Sequence, residues 1–118
     1  MRSIEISRIL LYYLRMVREI VDHKEAIATL CRDLDVEGLF LFGSATQGET
    51  LSDVKDLDFL VRFRPMPPVE CAHNYFRLAE QLEVLFKAPV DLVEIDSIGN
   101  PYFKEAVEET KVPVYEIA

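Results

Sequence analysis

The chain lacks any uninterrupted apolar run near the ~20 residues that a membrane-spanning helix requires. Its N-terminal apolar stretch is broken by Arg15 and Arg18 and shows no signal-peptide cleavage pattern, so no membrane role is expected. Cysteine is scarce: Cys31 and Cys71 stand 40 residues apart with no C-x-x-C pair. That favours buried, reduced thiols and a cytoplasmic setting over a disulfide framework. His23 and His73 are the only histidines and have no neighbouring ligand set, so neither is expected to hold a metal. Positive charge is also short. Thirteen Lys and Arg face 21 Asp and Glu, a formal −8. Residues 1–36 carry six basic and six acidic side chains, so the deficit falls on 37–118, with seven basic and fifteen acidic. Such a surface repels a phosphate backbone, and nucleic acid is not expected as a partner. At 118 residues, without internal repeats or low-complexity segments, one domain spanning 1–118 is expected, with a helical part over 1–34 and a core over 35–118.

What is present is a change of hydrophobic period. Ile6, Leu10, Tyr13, Val17 and Ile20 recur at helical spacing, predicting a first helix that starts near Ser3. Asp22-His23-Lys24-Glu25 has the form of a capping box that restarts a second helix through Leu34. Glu37 to Phe42 is a short apolar run that stops at Gly43, as a buried strand would. Asp56 to Phe63 predicts the next strand, and Pro65-Met66-Pro67-Pro68 breaks the chain. Val69 to Lys87 predicts a helix with Tyr75, Leu78, Ala79, Leu82, Leu85 and Phe86 on one stripe. A strand over Pro89–Ile95, a short helix over Pro101–Glu109 and a strand over Val112–Ile117 complete the order ααββαβαβ. The fold class is α/β (α+β), with a mixed sheet of about four strands packed with helices.

The chemistry is expected between Gly43 and Val61, GSATQGETLSDVKDLDFLV. Gly43 has no Cβ, so backbone N–H groups can close on a bound oxyanion, and Ser44 adds a hydroxyl beside them. Asp56 and Asp58 are two apart on a strand, so their carboxylates leave the same face. Paired carboxylates repel unless a divalent cation lies between them, and hard oxygen ligands suit Mg²⁺. Asp91 lies in the apolar strand Val90-Asp91-Leu92-Val93, where a neighbouring strand could bring it beside the pair. Three carboxylates so placed can hold one or two metals and position a hydroxyl for attack on an α-phosphate. The plainer readings are a turn at Gly43-Ser44, a strand-start aspartate at Asp56 and an edge strand that shows Asp91 to water.

Gly-Ser, then Gly48, then Asp-x-Asp leading into apolar residues resembles the signature of the DNA polymerase β-like nucleotidyltransferase superfamily. The short length, Val-Asp-Leu-Val and the closing NPYFKEAVEETKVPVYE resemble its smallest branch, the minimal nucleotidyltransferases (MNT). Those are antitoxins encoded beside HEPN-domain toxins. The resemblance covers roughly residues 35–118. It implies that Gly43 and Ser44 grip the nucleotide phosphates, that Asp56 and Asp58 bind Mg²⁺, and that Asp91 completes the metal site or activates the nucleophile. It further implies transfer of AMP from ATP, a nucleoside triphosphate, to a tyrosine of a HEPN toxin. Two departures stand out. Gln47 replaces the family's usual Arg, and the loop before Asp56 is one residue longer, which puts Lys55 where a serine is usual. These favour the alternative, a binding module that neutralises its partner by complex formation alone.

The first helix raises a separate question. Ile9, Leu10, Leu11, Tyr12, Tyr13, Leu14, Met16 and Val17 form an apolar band wider than one buried stripe. Two accounts fit it: a helix wedged between the sheet and the second helix, or a surface that docks a partner or a second copy of the chain as a homo-oligomer.

Overall fold

The computed structural model describes Leu11, residues 14–42 and residues 57–117. Helical residues 14–22 (α1) run into α2, Lys24–Asp33. The expected capping box does not form, because His23 occupies the N-cap position of α2 and makes no side-chain cap bond. The hydrogen-bond ladder instead continues through it: His23 N–H donates to the Glu19 carbonyl, and Ile27 N–H donates to that of His23. A helix preceded by another helical turn leaves few orphan N–H groups for a side chain to satisfy. The His23 ring meets Phe86 edge-on at 5.7 Å, a packing role.

At the end of α2, Asp35 turns the chain with φ 55, a left-handed conformation that short polar side chains tolerate. The strands follow as β1 (Val36–Leu41) and β2 (Leu57–Phe63), then α3 (Pro68–Phe86) and β3 (Val90–Glu94). A 3₁₀ turn at Ile95–Ser97, α4 (Pro101–Thr110) and β4 (Val112–Glu116) complete the order. The strand order is β3-β2-β1-β4. β1 pairs antiparallel with both β2 and β4, while β2 pairs parallel with β3, so the sheet is mixed.

Alternation along the central strands divides the interior in two. Leu39, Leu41, Phe59 and Val61 join Ile27, Cys31, Leu78, Leu82 and Phe86 on the side of α2 and α3. Phe40 and Leu60 face the other way and pack with Ile95 and Val107, beneath α4. The α3 stripe comes out as expected at Leu78, Leu82 and Phe86, with Tyr75, Ala79 and Leu85 half-buried beside it. Asn74 also lies inside, a polar residue outside the expected stripe. Its Nδ2 donates to the Leu34 carbonyl at 3.0 Å, which satisfies it and ties α3 to the turn before β1.

In α1 the expected face is corrected. Met16 is buried and Ile20 half-buried, whereas Val17 is exposed together with Leu11, Leu14 and Val21. The apolar band is nearly continuous, so period alone could not choose which side packs. The expected start at Ser3 and the residues Ile6, Leu10 and Tyr13 lie outside the described residues. No helix among the described residues is long and apolar enough to cross a membrane.

Cys31 is fully buried, and burial pushes its thiol up to about 12, so no thiolate forms near neutral pH. Cys71 is only half-buried. At pH 8 a thiol reagent is expected to modify Cys71 alone in the native protein and both cysteines after denaturation. Titration of two thiols without denaturant would contradict this packing.

Candidate functional site

The parallel pairing of β2 with β3 sets the geometry. Asp58 and Asp91 are register partners, as are Leu60 and Val93. Register partners on parallel strands project to the same face, and adjacent strands lie about 4.8 Å apart. Both carboxylates therefore open on the face covered by α4. Asp58 is half-buried and Asp91 exposed, since β3 is an edge strand. The edge-strand reading of Asp91 is correct as far as it goes, and it does not separate Asp91 from Asp58. The Phe42 N–H donates to the Asp58 carbonyl at 3.0 Å and fastens the end of β1 to this point.

Asp56, Gly43 and Ser44 lie outside the described residues, as do Gln47, Gly48, Asp53 and Lys55. Among the described residues no three His, Cys, Asp or Glu side chains gather as a metal cluster, and the carboxylate pair is the described part of the site.

Beside that pair lies a cavity of about 160 Å³, lined by Phe42, Asp58, Phe59, Leu60, Asp91, Val93 and Phe103. Phe103 reaches it from the first turn of α4. Asn100, immediately before Pro101, caps this helix, its Oδ1 accepting from the N–H groups of Tyr102 at 2.9 Å and Phe103 at 3.1 Å. Phe103 then meets Phe42 edge-on, ring centroids 6.1 Å apart. Sequence reading missed Phe103; the Asn-Pro cap signal was there, but only the fold shows where the capped turn lands.

An ion-pair network holds α4 on the sheet. Arg62 of β2 donates to Glu108 Oε1 at 2.7 Å and lies 3.5 Å from Asp96. Lys104 pairs with Asp96 at 3.7 Å, and Lys111 pairs with Glu108 while its ammonium sits 4.6 Å from the Phe40 ring centroid. The hydrogen bond from Lys111, then that from Arg62, holds the Glu108 carboxyl below the usual carboxylate range. Asp96 is thus engaged in holding α4 rather than in the carboxylate pair.

A larger groove of about 750 Å³ lies between α3 and the outer edge of β3, among Phe63, Met66, Cys71, Tyr75, Phe76 and Glu94. Glu94 is the one carboxylate among the described residues that line it, so size and chemistry point to different places. Paired hard-oxygen donors decide in favour of the smaller cavity.

Residues 23–114 match the nucleotidyltransferase domain family. The chain is 35% identical over 79 residues to MJ1379 of Methanocaldococcus jannaschii, named as a candidate protein adenylyltransferase; the match covers 67% of this chain and 77% of that one. MJ0128 of the same organism, named likewise, is 34% identical over 79 residues, covering 67% and 76%. Among solved structures, a candidate minimal nucleotidyltransferase superposes with a TM-score of 0.64 at 30% identity, covering 85% of this chain and 94% of that one. A chain from the complex of a tri-AMPylated Shewanella oneidensis HEPN toxin with MNT antitoxin superposes at 0.55 and 20% identity, covering 83% and 73%. At that identity the likeness is one of fold.

Proposed function

Because the chain belongs to the nucleotidyltransferase domain family, we propose that it transfers AMP from ATP to a protein hydroxyl, a tyrosine of a HEPN toxin, and acts as that toxin's antitoxin. The observation that carries this reading is the registered pair Asp58 and Asp91, opening together on one cavity at the edge of the sheet. Two hard-oxygen donors on one face of neighbouring strands suit Mg²⁺, and Asp56, two residues before Asp58, is the third ligand in this reading. Bound there, Mg²⁺ neutralises phosphate charge. Gly43 and Ser44 grip the phosphates. Asp91 takes the proton of the attacking hydroxyl, whose oxygen bonds to the α-phosphorus. The bond from that phosphorus to the bridging oxygen breaks, and pyrophosphate leaves with the electron pair.

The names of MJ1379 and MJ0128 support a protein acceptor, and the toxin–antitoxin structures support a HEPN partner. The chain acts in this reading as one unit over 1–118, and the exposed apolar side of α1 offers surface for a partner or a second copy.

The test is incubation with Mg²⁺, a HEPN toxin and ATP labelled at either the α- or the γ-phosphate. AMP transfer labels the toxin from α-labelled ATP only. Label from γ-labelled ATP would mean phosphoryl transfer, and label from neither would leave binding alone as the means of neutralisation.

A further inference from the structure

We propose that the groove of about 750 Å³ between α3 and the outer edge of β3 is a docking site for a protein segment that presents one arginine among apolar residues. Neither Asp58 nor Asp91 lines it, so the inference does not rest on the transfer reaction. Its walls are aromatic and soft. Phe63, Met66, Cys71, Tyr75 and Phe76 line it, and the rings of Tyr75 and Phe76 meet at 86° with centroids 5.3 Å apart. The Tyr75 O–H donates to the Leu92 carbonyl, which fixes that ring against β3. Phe76 is 68% exposed, so an occupant that covers it takes apolar surface out of water.

Charge decides the occupant. Among the described residues no cation lies within ion-pairing distance of the Glu94 carboxylate. Burial, and after it the charge of Glu94, raises the Cys71 thiol, as a carboxylate beside the same wall would. An acidic anchor next to aromatic faces suits a guanidinium, which stacks on a ring and pairs with a carboxylate through two N–H groups. The surroundings act in the same direction. Residues 37–118 hold seven basic side chains against fifteen acidic ones, and Arg62, Lys104 and Lys111 are engaged in holding α4. A second copy of the chain brings the same negative excess and is disfavoured on that ground. A segment that simply adds a strand to the sheet also fits less well, because backbone groups of β3 are already engaged. The Val90 N–H donates to Glu83 Oε2 at 2.9 Å, and the Leu92 and Glu94 carbonyls accept from the Tyr75 and Ser97 hydroxyls. Recognition falls to side chains.

The test needs neither metal nor nucleotide. The full chain, with labelled methionine methyls and phenylalanine rings, is followed by NMR. It is titrated with acetyl-Leu-Arg-Leu-amide and with a twin carrying citrulline, which keeps the shape of arginine and lacks its charge. The arginine peptide is expected to shift the Met66 and Phe76 signals. It should bind about tenfold tighter than its twin, the combined scale of an exposed ion pair and a cation–π contact. Glu94→Gln should bring the two peptides within about threefold of each other, and Phe76→Ala should weaken the arginine peptide. Both side chains lie outside the buried core, so the melting midpoint should hold in each variant. The proposal is overturned if the two peptides bind equally or if the shifts arise elsewhere. It is also overturned if none appear up to about 10 mM peptide, ten times a millimolar dissociation constant. Shifts of the same signals on dilution without peptide would assign the groove to a second copy and overturn it as well.

Discussion

Asp58→Asn is expected to cut AMP transfer by about a thousandfold or more while leaving the fold intact. The exchange keeps the shape of the side chain and removes its charge. Asp58 stands in register with Asp91 across about 4.8 Å of parallel sheet, and the pair is the described carboxylate centre of the site. Charge stabilisation by a carboxylate-held cation is worth several kcal/mol, and each 1.36 kcal/mol is a factor of ten in rate. The thermal midpoint should move by less than about 4 °C, because an isosteric change at a half-buried strand end removes no packing. Label incorporation and a melting curve on the same preparation check both halves. Transfer at the unmodified rate would remove Asp58 from the chemistry. If transfer is lost but the toxin is still neutralised, complex formation alone is sufficient.

The adjacent residue behaves in the opposite way. Phe59→Ala is expected to cost about 3–5 kcal/mol of stability, the usual range for deleting a buried aromatic side chain. Phe59 is 1% exposed, pairs in register with Leu41 and Leu92, and lies 5.6 Å from the Phe86 ring. Domains of this kind are held by only about 5–15 kcal/mol, so the loss is a large share of the whole. A drop in midpoint of at least about 12 °C should follow, with urea unfolding giving the free energy directly. A cost below about 1 kcal/mol would mean that this face of β2 is not the core. One residue apart, Asp58 and Phe59 project from opposite faces of β2, because strand side chains alternate between faces.

That alternation was legible in the sequence at β2, where Asp-Leu-Asp leads into Phe-Leu-Val, and so was the helical stripe of α3 around Leu78 and Leu82. Asn74 was not legible. A buried asparagine is stable only if its donors find partners, and the carbonyl it meets belongs to Leu34, 40 residues earlier. The side of α1 that packs was misread at Val17 for a related reason: an unbroken apolar band carries no phase, and it is Met16 that joins the core.

By itself the sequence determined the order of the elements, the mixed character of the fold and the residue types able to hold a cation and a phosphate. Those follow from local periodicity, turn chemistry and charge. Only the tertiary structure decided that β2 and β3 run parallel with Asp58 opposite Asp91, and that α4, capped by Asn100 and held by Arg62, carries Phe103 to the same cavity. Strand register and helix docking are settled by contacts between residues dozens of positions apart, and no local pattern encodes them.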